Sequence, residues 1–322
     1  MTDQSLSLES FFDHALIDIE KKIKETVSDD KILQILDGGK RLRPLLAILS
    51  FKVCTGGNEK PDKYQSALEG AVGIELAHNA SLVHDDIIDG DVKRRGELAF
   101  YITKGIDNAI LIGHKMLVIG FNMALSHGDK IAKLYVDTWS KTLNGQLTEV
   151  NFNTRDLNNG KELISRDSKF FHLYSNIIDL KTASLFASAC KAASYEADAT
   201  EKLSNLLEDY GRAIGFAYQL ADDLVDLEKG EMIDSVVLPL LNRIEKKTIK
   251  NGSVTAKTLK KKLDKSSHEI KELYVSEIVK HLTKAKEISQ SDLIPENQYK
   301  TLLQNAPSFI INRMLHEIHM TI

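Results

Sequence analysis

Cysteine is scarce in this chain of 322 residues, which contains two, Cys54 and Cys190. They lie far apart, and neither belongs to a Cys-x-x-Cys or Cys/His pattern. The sequence therefore predicts neither a disulfide framework nor a zinc site. A basic segment followed by an apolar run, the mark of a signal peptide, is also missing from the first residues. Both absences favour a cytoplasmic protein.

Proline is almost as rare: the chain has five, and none lies between Asp62 and Leu238. Because proline interrupts helices, this long stretch favours helical structure. Apolar residues recur there at helical spacing, as at Leu203 and Leu207. Sustained alternation of apolar and polar residues is lacking, so no strands are predicted. We therefore expect one all-α domain, residues 1–322, built from about ten helices.

Two of the prolines are expected to mark helix starts. Pro61 precedes a stretch of helical periodicity that ends at Asp89, and Asn305-Ala306-Pro307 has the composition of a capped first turn. Proline fits the first turn because its missing N–H would have no partner inside the helix there.

Membranes and nucleic acids are not expected as partners. The most apolar window, residues 109–125, contains His114, Lys115 and Asn122 and falls short of a spanning helix. Residues 241–322 carry 15 Lys and Arg against 9 Asp and Glu, although the whole chain has a net charge of −4. Since acids are interspersed throughout this basic tail, we interpret it as the solvated faces of helices rather than a nucleic-acid site.

Two segments repeat one acidic pattern, Asp-Asp-x-x-Asp: Asp85-Asp86-Ile87-Ile88-Asp89 and Asp222-Asp223-Leu224-Val225-Asp226. On a helix, residues four apart point the same way from adjacent turns. Like charges at that spacing destabilise a helix unless a cation lies between them. Oxygen ligands of this kind suit a hard cation, and Mg²⁺ also bridges substrate phosphates.

A single acidic cluster of this kind is more often a solvated helix face. Two copies, each ending an otherwise apolar helix and 137 residues apart, are harder to explain that way. They predict two acidic walls facing each other across a cavity that holds metal and diphosphate.

Basic residues that could hold polyanions lie in two further segments, Gly38-Gly39-Lys40-Arg41-Leu42-Arg43-Pro44 and Arg94-Arg95-Gly96. A helix N-terminus and guanidinium groups both favour phosphate oxygens. Either segment taken alone also fits an ordinary surface loop. His78 lies seven residues before Asp85, almost on the same helix face, and we interpret it as a phosphate contact rather than a core histidine.

In combination these segments resemble the trans-prenyl (polyprenyl) diphosphate synthases, which include the farnesyl, geranylgeranyl and longer-chain enzymes. The resemblance rests on motifs in family order, from Gly38–Pro44 through Glu75–His78, Asp85–Asp89, Arg94–Gly96, Gly145-Gln146 and Lys181–Phe186 to Gln219–Asp226. It implies a single-domain bundle of long antiparallel helices around a deep central pocket, usually in a homodimer. It also implies that isopentenyl diphosphate and an allylic prenyl diphosphate are the substrates.

The resemblance assigns roles to individual residues. Ligands of Mg²⁺ would be Asp85, Asp89 and Asp222, with Asp86, Asp223 and Asp226 binding through metal-bound water. Contacts to the allylic diphosphate would be Arg94, Lys181 and Gln219. Contacts to isopentenyl diphosphate would be Gly39, Lys40, Arg43, His78 and Arg95.

The chemistry of these groups agrees with Mg²⁺-assisted ionisation. Metal and basic side chains neutralise the diphosphate as its C–O bond breaks. The isopentenyl double bond then attacks the allylic cation, and a proton is lost to the departed diphosphate. Lys181, Thr182 and Gln219 would place dipoles near that cation, and apolar walls would exclude water.

The chain departs from the family pattern in three places. Glu97 stands where the family has a proline after the Arg-Arg-Gly motif, and His114 stands where it has an aspartate. After Asp226 the loop is shortened and carries one lysine, Lys229, so Lys229 is a candidate for the missing cation. This shortened loop is similar to that of some archaeal longer-chain members.

Product length in this family depends on residues one or more turns before the first acidic cluster. Here they are small: Ala77, Ala80 and Ser81. One turn rises about 5.4 Å, close to one extended isoprene unit. We therefore expect geranylgeranyl diphosphate, with a floor supplied by Met116, Phe121 or Met123, or a longer C25–C40 product. Since such a product is hydrophobic, we expect at most weak contact of the protein with membranes, made through its product. Alternatively, Ala80 and Ser81 merely permit close helix packing.

Other functions fit less well. A class I terpene cyclase has Asn, Ser and Glu in its second metal motif, and this chain repeats the aspartates. The basic Lys40/Arg43 motif disfavours a head-to-head squalene or phytoene synthase. A non-catalytic regulatory subunit of a synthase is the alternative from a different class, and the two intact acidic clusters argue against it.

Overall fold

A computed structural model describes residues 7–151, 169–229 and 256–322. It is helical throughout apart from one small hairpin. The α-helices are α1 (Leu8–Thr26), α2 (Asp30–Leu36), α3 (Leu42–Thr55), α4 (Pro61–Asp89), α5 (Phe100–Lys104), α6 (Ile106–Ser126), α7 (Asp129–Asn151), α8 (Lys169–Ile178), α9 (Ser184–Glu196), α10 (Glu201–Lys229), α11 (Ala256–Ser289) and α12 (Gln298–Leu315). A π-helical turn, Asp179–Ala183, joins α8 to α9, and a 3₁₀ turn, His316–Ile318, follows α12.

The prediction of an all-α chain is confirmed. The hairpin, which the sequence did not indicate, consists of β1 (Lys93–Arg94) and β2 (Glu97–Leu98), with Arg94 paired to Glu97. Two-residue strands are too short for apolar alternation to reveal them.

Helix starts follow the sequence in one case and not in the other. Pro61 is the first residue of α4, as predicted. Pro307 instead lies inside α12, so the predicted start at Asn305-Ala306-Pro307 is wrong. A proline inside a helix leaves the carbonyl four residues earlier without its usual N–H donor. Here that carbonyl, of Leu303, accepts a hydrogen bond of 2.6 Å from the buried Tyr210 hydroxyl.

The chain divides into two compact units built from interleaved segments. The first comprises Met1–Ser140, Leu185–Gly211 and Ile288–Asn305; the second comprises Lys141–Ser184, Arg212–Glu287 and Ala306–Ile322. One domain over residues 1–322 stays a prediction.

In the first unit α4 is the central helix, because residues on all its sides are buried from Ala67 to Leu76. α6 packs along it at two glycines. A Cβ placed on Gly120 would lie 3.0 Å from the carbonyl oxygen of Gly73, so larger residues would push the helices apart. The two glycines therefore allow the backbones of α4 and α6 to approach closely at this point.

α6 has an unusual balance of apolar residues and exposure. Among the described helices it alone has the length and composition of a membrane span, and 33% of its apolar stretch is buried. Length and composition are weak evidence for a membrane span, since core helices of globular proteins meet the same criteria, so no firm span is shown. Three aliphatic side chains at seven-residue spacing are exposed: Leu111 (66%), Val118 (57%) and Leu125 (63%).

Candidate active site

The first acidic cluster forms the last turn of α4. Gly90 ends the helix in the left-handed conformation, φ 78°, which glycine adopts without strain. Asp85 and Asp89 are half exposed, whereas Asp86 is 3% exposed. The cluster thus presents its two outer carboxylates and buries the middle one.

Asp86 is held by Arg94 from the hairpin. The Arg94 Nε donates to Asp86 Oδ1 at 2.8 Å, and a second guanidinium nitrogen also contacts this oxygen. Asp91 accepts from the same guanidinium at 3.1 Å. Burial raises the pKa of Asp86, and the charge of Arg94 opposes that rise. Arg94, predicted to contact the allylic diphosphate, therefore lies beside the first acidic cluster and is already anchored to it.

The predicted isopentenyl diphosphate contacts gather in the same unit. Lys40 is exposed just before α3, and Arg43 in the first turn of α3 stacks over the ring of Phe186, with its Cζ 4.4 Å from the ring centroid. Burial and four guanidinium groups, first that of Arg43, hold the pKa of His78 well below its ordinary value. His78 is therefore neutral at neutral pH and can donate one N–H to an anion.

In the second unit the second acidic cluster lies near the end of α10 and repeats the same division. Asp222 and Asp226 are half exposed, and Asp223 is 2% exposed. The Tyr174 hydroxyl donates to Asp223, and Gln219 Nε2 donates to it at 3.1 Å. Burial raises the pKa of Asp223 to about 7, and the Tyr174 hydrogen bond opposes the rise.

The π-helical turn positions Lys181 and Thr182 beside this cluster. Lys181 Nζ lies 2.5 Å from a buried carboxylate oxygen of Glu149 on α7. Thr182 Oγ1 donates to Gln219 Oε1 at 2.8 Å. Gly145 makes this approach possible, because a Cβ there would lie 2.8 Å from side-chain carbons of the turn. Thr182, Gln219 and Asp223 are therefore linked by hydrogen bonds, and Lys181 precedes Thr182 in the same turn.

The two middle aspartates, predicted to bind metal-bound water, also accept hydrogen bonds from protein side chains; their role towards a metal stays a prediction. Asp86 contacts Arg94, and Asp223 contacts Tyr174 and Gln219. Lys229, the candidate cation after the second cluster, forms an ion pair of 2.6 Å with Glu317. The remainder of the shortened loop, from residue 230, lies outside the described residues. That the two acidic clusters face each other across a cavity stays a prediction.

The outer aspartates suit Mg²⁺ as ligands. In the part of the chain that the structure describes, no three His, Cys, Asp or Glu side chains converge as a ready metal site. Magnesium, however, commonly takes one or two carboxylates and completes its shell with water and substrate phosphates. Each cluster offers two half-exposed carboxylates four residues apart, which fits that mode of binding.

An apolar cavity of about 20 Å³ lies in the first unit beside the middle of α4, at Gly73 to Ala77. Its lining residues are Gly73, Ile74, Ala77, Leu117, Gly120, Phe121, Tyr135, Thr138, Trp139, Leu185 and Ser188. A space of this size holds about one water molecule. Of the predicted product-length residues, Ala77 lines the cavity, whereas Ala80 is fully buried and the Ser81 hydroxyl donates to the His78 carbonyl at 2.7 Å.

Several side chains that organise the site were missed in the sequence. Glu75 and Asn79 lie four residues apart in a buried stretch of α4 and are hydrogen-bonded to each other. Polar residues at that spacing in an apolar helix were a usable signal. Glu149 and Tyr174 carried no local signal, since their partners are 32 and 49 residues away.

Solved structures show the fold class. A geranylgeranyl pyrophosphate synthase superposes with a TM-score of 0.73 at 24% identity, covering 95% of this chain and 98% of that one. The decaprenyl diphosphate synthase from Rhodobacter capsulatus superposes with a TM-score of 0.74 at 20% identity, with the same coverage. At these identities the likeness establishes the fold alone, which is the all-α isoprenoid synthase fold.

The polyprenyl synthetase family model matches residues 26–235, and the chain belongs to this family. The short chain isoprenyl diphosphate synthase of Methanothermobacter thermautotrophicus is 33% identical over 66% of this chain and 64% of its own. The nonaprenyl diphosphate synthase of Mycobacterium tuberculosis is 30% identical over 70% of this chain and 62% of its own length. The geranylgeranyl diphosphate synthase of Methanosarcina mazei is 32% identical over 61% of this chain and 57% of its own length. The chain thus spans less than two thirds of the length of these relatives.

Proposed function

We propose that this protein is a prenyltransferase that condenses isopentenyl diphosphate head-to-tail with an allylic prenyl diphosphate. The observation that carries the proposal is the division within both Asp-Asp-x-x-Asp clusters. In each cluster the outer carboxylates are half exposed and the middle one is fixed by a protein donor. Such an arrangement holds two negative charges in place for a cation. The names of the relatives, all prenyl diphosphate synthases, support the same reaction.

The chemistry asks two things of the protein: to hold a departing diphosphate and to protect a carbocation. Magnesium, held by Asp85, Asp89, Asp222 and Asp226, would supply the positive charge that makes the diphosphate a better leaving group. Arg94 and Lys181 would bind the same group, exchanging part of their contact with Asp86 and Glu149 for phosphate oxygens. Thr182 and Gln219, fixed by their mutual hydrogen bond, would direct oxygen dipoles at the allylic cation.

Isopentenyl diphosphate would bind to the other basic group. Lys40, Arg43 and Arg95 supply charge, and Gly39 allows close approach of the backbone. A neutral His78 can donate to a phosphate oxygen without adding to the crowded positive charge. One substrate ionises and the other does not, so each needs its own diphosphate site. Two separate sites would hold the allylic carbon and the isopentenyl double bond in the orientation that the reaction requires.

For the product we propose geranylgeranyl diphosphate. Ala77 and Gly73 lie about 12 and 18 Å before Asp85 along α4, two to three turns. At that depth Phe121, Tyr135 and Trp139 leave a cavity of about 20 Å³, too small for another isoprene unit. A longer C25–C40 product is the second candidate, favoured by the small residues Ala77 and Ala80 and by the nonaprenyl-forming relative.

We also propose that the chain acts as a homodimer in the cytoplasm. The exposed aliphatic residues of α6, Leu111, Val118 and Leu125, repeat every seven residues. A stripe with that period can pack against the same stripe of a second copy. Any membrane contact would then come through the hydrophobic product rather than through this helix.

Incubation of the purified protein with labelled isopentenyl diphosphate, an allylic primer and Mg²⁺ tests the proposal. We expect products lengthened by whole isoprene units, with geranylgeranyl diphosphate predominant, and no reaction in the presence of a chelator. A protein without turnover that stimulates a separate synthase would be a regulatory subunit. Cyclic hydrocarbons as products would indicate a terpene cyclase.

A further inference from the structure

Two residues of the basic region are non-glycine residues in the left-handed conformation: Arg41, with φ 52°, and Arg95, with φ 54°. Residues with long side chains adopt this conformation uncommonly, and it persists where the surrounding structure holds it. Both arginines belong to one set of contacts centred on α4, in which Arg41 is buried and Arg95 is exposed.

Arg41 is fixed between two carboxylates. Its Nε donates to Glu20 Oε1 at 2.8 Å, and its NH1 donates to Glu75 Oε1 at 3.2 Å. The side chains of Arg41 and Glu75 are both 3% exposed. Charges that are this deeply buried are stable only while both partners are present.

Glu75 connects Arg41 to the next member of the set. Its Oε1 also accepts from Asn79 Nδ2 at 3.0 Å, and that nitrogen lies 2.8 Å from the Glu75 carbonyl oxygen. The amide of Asn79, which is 1% exposed, is thereby fixed with its oxygen free to accept elsewhere. That oxygen accepts from Arg95 NH2 at 2.8 Å.

Arg95 is therefore oriented from two sides. Besides Asn79, its guanidinium donates to the carbonyl oxygens of Ile35 at 3.1 Å and Asp37 at 2.7 Å. These three acceptors are neutral, so they direct the guanidinium without cancelling its charge. A guanidinium carries five N–H groups in a planar fork that matches phosphate oxygens, so its orientation determines how it can bind an anion.

The glycine loop before α3 rests on both guanidinium groups. A Cβ on Gly39 would lie 2.1 Å from Arg41 NH1 and 3.4 Å from Arg95 NH2. Since Arg41 is buried and doubly ion-paired, it cannot move aside cheaply. The position of the Gly39 backbone, and of Lys40 next to it, thus depends on Arg41.

We propose that Glu75 and Asn79 are positioning residues that hold Arg41 and Arg95 in place for the diphosphate of isopentenyl diphosphate. Glu75 sets Arg41 and so the glycine loop; Asn79 sets the Arg95 guanidinium. The inference rests on the proposed function for the identity of the anion. Pre-positioned donors bind an anion without the cost of ordering flexible side chains at the moment of binding.

Steady-state kinetics with each substrate varied separately tests the role of Asn79. Asn79→Ala is expected to raise the KM for isopentenyl diphosphate about tenfold, with kcat and the KM for the allylic substrate changed less than about twofold. In an Arg95→Ala background the same substitution should have no further effect, because Asn79 acts through Arg95. Asn79→Asp keeps an acceptor for Arg95 but places a carboxylate beside Glu75 Oε1 and pairs its charge with the Arg95 guanidinium, so it should not restore the affinity.

Glu69→Gln is the matched control. Glu69 lies on the same helix and binds Lys22 at 3.4 Å and His127 at 3.3 Å, outside the set. It should leave both KM values unchanged. Equal effects of Asn79→Ala on both substrates, or additivity with Arg95→Ala, would overturn the proposal.

Calorimetric titration with isopentenyl diphosphate alone separates this inference from the proposed function. Asn79→Ala and Glu75→Gln should weaken that binding while the melting temperature of Asn79→Ala stays close to that of the Glu69→Gln control. Wild-type protein that binds isopentenyl diphosphate without condensing it would refute the proposed function and leave the positioning role supported by the weaker binding. Unchanged binding in both variants would refute the positioning role.

Discussion

At the scale of single residues, the acidic clusters show how one pattern supplies two kinds of carboxylate. Asp85 and Asp89 lie on one side of the last turn of α4, and the intervening helical twist turns Asp86 towards Arg94. On α10 the same geometry turns Asp223 towards Tyr174. A hydrogen bond to a charged group stabilises by about 1.5–3 kcal/mol, and more is lost when one buried partner is removed. The middle aspartates therefore stabilise the turns that present the outer ones.

The outer aspartates should be needed for catalysis rather than for folding. Asp85→Asn or Asp222→Asn is expected to reduce kcat by about a thousandfold, because each removes a charge that holds the metal in the transition state. Steady-state kinetics over a range of Mg²⁺ concentrations would measure this, with circular dichroism to verify the fold. Asp107→Asn, an exposed aspartate in the first turn of α6, is the control. Wild-type turnover in either variant would refute the metal assignment.

At the scale of helices, contacts between α4, α6 and α7 close the apolar cavity of the first unit. Tyr135 of α7 donates to the Gly70 carbonyl oxygen at 2.5 Å, and a Cβ on Gly73 would lie 3.2 Å from its ring. The small residues of α4 therefore admit an aromatic side chain from α7. The small residues of α4 near the acidic cluster would leave room for a growing prenyl chain. The side chains of the facing helices α6 and α7 would set how long that chain can become.

Substitutions that fill or enlarge this cavity should move product length in opposite directions. Ala77→Phe is expected to shorten the main product by at least one isoprene unit, since the ring would occupy space next to α4. Phe121→Ala should lengthen it by removing a ring that lines the cavity, at a smaller cost in stability than for a fully buried phenylalanine, because Phe121 is half-buried. Chromatography of the dephosphorylated products would measure the chain-length distribution of each variant. Identical distributions in both variants would show that the floor lies elsewhere.

His127 at the end of α6 connects this helix to α9 and α4. Its Nδ1 lies 2.7 Å from Glu196 Oε1, its Nε2 lies 3.3 Å from Glu69 Oε2, and Lys22 of α1 contacts Glu69. The hydrogen bond with Glu196 raises the pKa of His127 above its ordinary 6.5, against the effect of burial. The imidazolium is therefore stabilised by folding.

Stability should depend on pH accordingly. Because the folded-state pKa is the higher one, the contribution of His127 is fully present below pH 6.5 and is lost as pH rises through the folded-state pKa. The free energy of unfolding, measured by urea titration across this range, should fall more steeply in wild type than in His127→Gln. His14, an exposed histidine of α1, gives a control in His14→Gln. Parallel curves for wild type and His127→Gln would contradict the assignment.

At the scale of the whole molecule, the exposed face of α6 bears on assembly. Its apolar composition satisfies the criteria for a membrane span, but its other face is packed against α4. In the proposed homodimer, a second copy would cover this exposed apolar face with the same stripe.

Val118→Lys should therefore convert a dimer into a monomer, because it places charge at the centre of the proposed contact. Sedimentation at several concentrations measures the change. Ile17→Lys, at a 66% exposed position on α1, is the matched control and should leave the association state unchanged. A wild-type monomer at micromolar concentration, or a Val118→Lys dimer, would exclude this interface.

Much of the fold and site followed from local sequence. The scarcity of proline and the lack of strand patterns predicted the all-α class, and the spacing of Asp85 and Asp89, or of Asp222 and Asp226, is a property of one helix. The order of the motifs from Gly38 to Asp226 identified the family. These conclusions needed no knowledge of distant contacts, since the carboxylate spacings are local to one helix and the motifs are recognised by their order along the sequence.

Tertiary structure decided which partners these residues have. Arg41 meets Glu20 and Glu75, 21 and 34 residues away, and Lys181 meets Glu149 across 32 residues. Likewise Pro307 remains within α12 because the Tyr210 hydroxyl satisfies the carbonyl that it leaves without a donor. Helical periodicity fixes which side of a helix a residue occupies, whereas the packing of other helices fixes what it contacts there.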